Sequence, residues 1–463
     1  MSNKSLNKNN IQTEILTHLR RHGATTLQSL RDKFLISQPT ASRLLNKLKA
    51  DILVMGKARE TRYAALRKID NQAEFPIYEI LHDGCSRHLG TLYPIYPQGF
   101  YFLSMSSEAT SSLYPDLPYF LNDARPGGYL GRLIPFQNED LQLPKDIKLW
   151  NADHCLKYLS LRGWNTIGNF IVGEKAFQVY LENCRHPQQS VNKKNRKTEY
   201  SLYANDVLAK GDAGSSAGGE QPKFTTIVLP DTQHVIVKFS PSTLTDTGKR
   251  AADLLICEYI ALRALKKHGH NAADAEIIVH DNRIFLEVKR FDRIGKLSRL
   301  GVISLGSLDA EFSALANSWS SIATELAKNK IIPESLLEEI RFRELFGACI
   351  ANNDMHSYNL SFITRGQQVI ELAPTYDMTC MLFAPRNDRI IPVEFKPPLP
   401  QVTDKKILTS ALIAAIEFWN EVIKDVRISP SFKIIAKECK SKITELQGLA
   451  ALLPEFKGSS LDN

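Results

Sequence analysis

The 463-residue sequence has no apolar run near the roughly 18 residues that a membrane-spanning helix needs. Its first ten residues, MSNKSLNKNN, lack the apolar core of a secretory signal, so a cytoplasmic chain without a membrane partner is expected. Cysteine is scarce and unpatterned. Cys85, Cys155, Cys184, Cys257, Cys349, Cys380 and Cys439 are odd in number and contain no CxxC pair, which argues against a disulfide framework or a zinc cage and for reduced core thiols. Internal repeats and extended low-complexity segments are also missing. Excess charge is absent from most of the chain: Met1–Leu66 holds twelve Lys or Arg against four Asp or Glu, which accounts for the entire net charge of +8. A polyanion partner is thereby confined to this first segment.

The length implies two or three domains. In the basic segment, IQTEILTHLRRHG places Ile11, Ile15, Leu16 and Leu19 on one helical face and stops at Gly23. TTLQSLRDKF opens on a Thr cap, and SQPTASRLLNKLKAD has Pro39 in its first turn. ILVMGKARETRYAAL then reads as two strands around a basic turn, which predicts a winged helix-turn-helix over residues 1–66. The third helix would turn Gln38, Thr40, Ser42, Arg43 and Lys47 to the major groove of DNA, while Lys57, Arg59 and Arg62 on the wing meet phosphates. The bland alternative is a helical interaction domain with a solvated basic face. The concentration of charge favours DNA.

From Arg67 to about Tyr200, RHLGTLYPIYPQGFYFL suggests an aromatic hairpin, and LYPDLPYFLNDARPGGYLGRLIP a Pro- and Gly-punctuated loop with a turn of helix. No basic residues alternate with these aromatics, so they read as core rather than as a nucleic-acid platform. The charge run NKKNRKTEY, residues 192–200, reads as a solvated linker.

Chemistry begins at GDAGSSAGGEQPKFTTIV, residues 211–228, where small residues can present backbone N–H groups to an anion beside Lys223. The order matches neither GxxxxGK[ST] nor GxGxxG, so the loop alone is weak evidence and could be a flexible linker. It is followed by two strands, FTTIVL and HVIVKFS. Lys238 stands in the second among apolar neighbours and needs an anionic partner if it faces inward. Glu258, on the helical stretch AADLLICEYIALRAL, is the natural carboxylate, an arrangement like the lysine-to-helix ion pair of protein kinases. AEIIVHDNRIFLEVKRFDRIG adds two strands and a polar exit with Lys289, Arg290, Phe291 and Asp292, where a kinase chain passes between lobes. Arg290 and Asp292 could equally form a surface ion pair.

A helix over ESLLEEIRFRELFGACIA delivers the chain to NNDMHSYNLSF, in which Asp354 and Asn359 have the separation of Asp and Asn in the kinase catalytic loop HRDxxxxN. Asp354 would take or orient a hydroxyl proton, and Asn359 would offer its carbonyl oxygen to Mg²⁺. A hairpin, LSFITRGQQVIELAP, returns the chain to TYDMT, placing Asp377 as a second Mg²⁺ ligand. Met378 and Thr379 stand where kinases carry Phe and Gly. His356 forms DxH with Asp354, but no HxxxH, HExxH or Cys set accompanies it, so a loop-fixing role outweighs a metallohydrolase.

SSAGGEQPKF, VIVKFS, VKRFDR, NNDMHSYNLSF and APTYDM, in this order over residues 211–380, resemble the HipA family of bacterial serine/threonine kinase toxins. With its N-terminal module, the chain is most similar to the YjjJ-type HipA homologues. The resemblance implies an α+β, two-lobed protein-kinase-like fold: a lobe over 67–290 with a subdomain at 67–200, and a helical lobe over 291–463. It implies ATP and Mg²⁺ between the lobes, contacted by Gly218, Gly219, Lys223, Lys238, Glu258, Lys289, Phe291 and Asp292. Ser216, in the family's S-x-x-G-x-Q-x-K pattern, would be autophosphorylated, with Ser215 the second candidate. His356 matches a family residue beside the catalytic aspartate. Tyr358 replaces a frequent lysine, and Pro222 a frequent charged residue. Expected partners are DNA, a protein substrate of the kind related to translation, and either an antitoxin or self-neutralisation, with a homodimer possible in such a scheme. The competing expectation is a DNA-binding regulator whose kinase-like region senses a nucleotide or dimerises without transferring phosphate.

Overall fold

The computed structural model describes residues 3–56, 60–107, 109–187, 190–211, 221–399 and 405–454. It begins with α1 (Asn3–His22), which starts upstream of the periodic segment because no helix breaker precedes Ile11. Gly23 ends it in the left-handed region at φ 77°, donating its N–H to Leu19 O. After β1 (Thr25–Thr26), Thr26 caps α2 (Leu27–Phe34) by accepting from Ser29 N at 3.2 Å. Then come α3 (Gln38–Lys47), β2 (Ile52–Met55) and β3 (Arg62–Ala65), with the strands in the order β1-β3-β2. Three helices precede the pair β2–β3, and β1, which the sequence reading did not include, adds a third strand to their sheet. Ile15, Leu19, Leu30, Leu44, Leu45 and Leu48 form their core.

No spacer follows. Arg67 N donates to Pro94 O and Tyr96 N to Ala65 O, both at 2.9 Å. The Tyr96 ring packs on the helical core, and Ile95 and Tyr101 join Met55 and Ala64 in one buried cluster. Tyr96 and Tyr101 belong to the next body, an antiparallel sheet of β4 (Phe75–Ile80), β5 (Ser86–Pro94), β6 (Phe100–Ser104), β7 (Ser112–Tyr114) and, beyond α4 (Gly128–Gln137) and α5 (Ala152–Arg162), β8 (Phe170–Val172). Phe100, Phe102, Tyr114, Tyr119 and Phe120 are buried in its core, as their lack of basic neighbours suggested. Where the sequence suggested a loop followed by a turn of helix, the ten-residue α4 begins inside the loop segment and runs past its end. α6 (Glu174–Arg185) closes this body.

The charge run is where the sequence reading fails. β9 (Ser190–Asn192) leads into α7 (Arg196–Gly211), and Arg196 is buried, its Nη1 donating to both oxygens of Glu287 at 2.8 and 3.0 Å and its Nη2 to Glu276 at 2.5 Å. Tyr200 is fully buried and donates to Glu287 at 2.6 Å. Arg196 and Tyr200 therefore anchor a helix to a sheet, and the run is not a solvated linker. The buried Glu287 and the exposed Glu276 hold the cation, and both lie 80 or more positions away in sequence.

That sheet has the order β12-β13-β11-β10-β9, from β10 (Lys223–Leu229), β11 (Gln233–Phe239), β12 (Ala275–His280) and β13 (Arg283–Lys289). Strand alternation puts Val235, Val237 and Phe239 against α7, and His234, Ile236 and Lys238 on the opposite face, beside α8 (Asp246–Lys267). The hairpin β14 (Arg293–Ile294) and β15 (Ser298–Arg299) leads to β16 (Gly301–Ser304) and the helical half: α9 (Leu305–Phe312), α10 (Trp319–Lys328) and α11 (Leu337–Cys349). β17 (Ser361–Arg365) and β18 (Gln368–Leu372) form the expected hairpin, with β16 as an unanticipated third strand. α12 (Lys405–Lys424) and α13 (Pro430–Ala451) complete the core around Phe418, Trp419 and Phe432. Among the described residues no helix is long and apolar enough to cross a membrane. Six cysteines are buried thiols and Cys85 is exposed.

Candidate active site

Lys238 is 5 % exposed, and its Nζ donates to both oxygens of Glu258 at 2.7 Å and to Asp377 Oδ1 at 2.5 Å. The bond to Asp377 crosses from the five-stranded sheet to the helical half. Lys223 lies directly opposite Lys238 in the β10–β11 register, so both lysines face this side of the sheet. Burial would lower the Lys238 ammonium, but Asp377 and Glu258 outweigh it and keep the amine charged well above its ordinary value. Burial likewise acts to raise Asp377, and Lys238 and Lys223 reverse this, holding the carboxylate ionised below its usual range. Glu258 behaves oppositely: burial dominates, and its carboxyl is raised despite Lys238.

α11 ends at Cys349, and Ala351 turns the chain with φ 60°. Asn352 is buried; its Oδ1 accepts from Asp354 N at 3.1 Å, and its Nδ2 reaches Met378 Sδ at 3.6 Å. The His356 carbonyl accepts from Asn359 N at 2.9 Å and from Trp319 Nε1 at 3.0 Å. His356 thus fixes the loop through its backbone, while its ring is exposed. Asn359 Nδ2 donates to Asp354 O at 2.7 Å, which leaves Oδ1 of the carboxamide as its acceptor atom. The spacing of five that suggested a catalytic loop is therefore closed by a hydrogen bond between its two ends. Asp354 itself is exposed.

Asp377 adopts φ 52°, an uncommon conformation for a side-chain-bearing residue, and its neighbours hold it there. The Tyr376 hydroxyl donates to Tyr358 O at 3.0 Å and accepts from Ser361 Oγ at 2.6 Å; Thr379 Oγ1 donates to Leu254 O of α8 at 2.7 Å. Sequence reading missed Asn352, Trp319 and Tyr376. Asn352 carried a signal, since Asn two residues before a turn amide commonly accepts from it. The set fits an Mg–nucleotide group: Asp377 and Asn359 offer hard oxygen ligands and the paired lysines offer charge to phosphates.

Other expected contacts fall differently. Phe291 stacks with Tyr376, ring centroids 5.9 Å apart, at the edge of the cleft. Lys289 is exposed at the end of β13. Asp292 is buried and turned from the cleft: Arg290 donates to it at 2.8 and 3.0 Å, Arg293 at 2.7 Å and Gly168 N at 2.9 Å. The Arg290–Asp292 pair exists, but in the interior rather than on the surface. Ser215, Ser216, Gly218 and Gly219 lie outside the described residues, as do Lys57 and Arg59. In the basic module Gln38, Arg43, Lys47 and Arg62 are exposed and Thr40 and Ser42 half-buried.

Similarity to known proteins bears on the family and the fold. Residues 215–444 match the HipA-like C-terminal domain family. The HipA structure from Shewanella oneidensis MR-1, solved with HipB and operator DNA, superposes with a TM-score of 0.53 at 16 % identity, covering 80 % of this chain and 96 % of that one. Fold and cleft thus define a two-lobed, kinase-like protein of HipA type. Residues 71–181 match the middle domain of YjjJ-like toxins, and Toxin YjjJ of Escherichia coli (strain K12) is 34 % identical over 445 residues, 93 % of this chain and 98 % of the relative. The chain belongs to the YjjJ-type branch of the HipA toxin family.

Proposed function

We propose that this protein is an ATP- and Mg²⁺-dependent kinase that phosphorylates serine or threonine hydroxyls of a cytoplasmic protein and binds DNA through its N-terminal module. The observation that carries the reading is Lys238 held between Glu258 and Asp377 across the cleft, with the Asp354–Asn359 loop closed on itself nearby. ATP would supply the phosphoryl group and Mg²⁺ would neutralise its charge. Lys238 and Lys223 bind the phosphates, Asn359 and Asp377 hold the metal, and Asp354 accepts the hydroxyl proton. Ser216, or its neighbour Ser215, is the proposed site of autophosphorylation. The Shewanella complex contains an antitoxin and operator DNA; here the exposed Arg43 and Lys47 support DNA contact in cis, with or without a separate antitoxin.

Incubation with labelled ATP and Mg²⁺ tests this. Label is expected on the protein at Ser216, falling at least about 100-fold in Asp354→Ala, whose exposed side chain leaves the fold intact. Nucleotide binding without transfer to any protein would instead support a nucleotide-sensing DNA regulator.

A further inference from the structure

A second concentration of charge lies away from the cleft, where α6 and the segment before β8 meet the β14–β15 hairpin. It encloses a cavity of about 20 Å³ lined by Arg293, Arg299, His234, Tyr180, Cys184 and Lys296, among others. Arg293 and Arg299 are 5 % and 3 % exposed. Arg293 spends its Nη atoms on Asp292, Gly168 O and Thr166 O, but its Nε has no acceptor among the described residues. Arg299 donates from Nη2 to Trp164 O at 2.7 Å and stacks 4.5 Å over the Tyr180 ring, and its Nη1 has no acceptor either.

The charges do not balance. Arg290, Arg293 and Arg299 face one carboxylate, Asp292. Tyr180 and Cys184 supply no anion, since burial foremost raises both and keeps the phenol and thiol protonated. The Tyr180 hydroxyl donates to Leu297 O and Cys184 Sγ to Lys296 O, so both are used as donors. Buried cations with unmet N–H groups call for an acceptor that carries charge.

We propose that this cavity binds one small monovalent anion of halide size, held by Arg293 and Arg299, and that it joins the middle body to the kinase-like sheet. The space accommodates one water-sized or halide-sized occupant. A halide completes the charge and accepts from both guanidinium groups. Water could meet the hydrogen bonds but leaves the charge.

Crystals of the full chain soaked in bromide test the site directly. An anomalous peak in the cavity is expected; its absence, or a water refined there instead, overturns the proposal. In solution, replacing gluconate by chloride at constant ionic strength should raise Tm saturably, by about 1–2 °C at tenfold excess over Kd. Arg299→Met, which preserves contact with Tyr180, should abolish that rise. An equal rise in the variant, or a larger one with inorganic phosphate than with chloride, counts against a halide-sized site.

Discussion

His234 sits within reach of three guanidinium groups, and burial foremost, then Arg293, Arg290 and Arg299, push its imidazole down to about 3. Imidazole in the unfolded chain titrates near 6.5. The folded-state value is depressed, so the stability present above pH 6.5 is lost as pH falls from there towards 3, because only the unfolded chain takes up the proton. The slope approaches about 1.4 kcal/mol per pH unit. Urea unfolding of the wild type and His234→Gln in chloride-free buffer between pH 7 and 5 measures it. The variant should lose this part of the slope, and identical profiles would refute the assignment. Residues such as Lys238 were legible because a lysine within an alternating apolar strand demands a partner, and Glu258 on the helical stretch that follows was the natural carboxylate. Asp292 was not legible. A short polar exit has no periodicity to say which side faces the interior, and its partners Gly168 and Arg293 come from two separate bodies.

At the scale of elements, α8 carries Glu258 to Lys238, and its position depends on its first turn. A Cβ on Gly248 would stand 1.9 Å from the carbonyl oxygen of Ser242, a backbone atom that cannot rotate away. Gly248→Ala should therefore destabilise the fold by roughly 1–3 kcal/mol, readable as a lowered urea midpoint, with weakened nucleotide binding as Glu258 shifts. A midpoint unchanged or raised would show that the Ser242 turn yields freely. Long periodic segments such as α8 and α11 and the paired strands β10–β11 and β12–β13 could be read from pattern alone. β16 escaped because four residues carry too little pattern, and α7 because its buried Arg196 and Tyr200 are explained only by Glu287 on a strand far along the chain.

For the whole molecule, the proposed DNA contact is the property most open to measurement. Affinity should fall steeply as salt rises, with the slope of log K against log salt decreasing by about 0.9 for each phosphate contact removed. Arg43→Glu with Lys47→Glu should weaken binding by at least about tenfold, read by fluorescence anisotropy. Undiminished binding would dismiss α3 as the recognition helix. Point variants are preferable to removing residues 1–66, which would strip the cover from Ile95, Tyr96 and Tyr101.

The basic module is seated on the middle body through Ala65, Arg67 and Tyr96. Such a coupling works as a compass. A copy lodged on DNA would point its cleft in a direction dictated by the helical phase of its site, and moving that site by half a turn would aim the same cleft at the opposite side of the duplex.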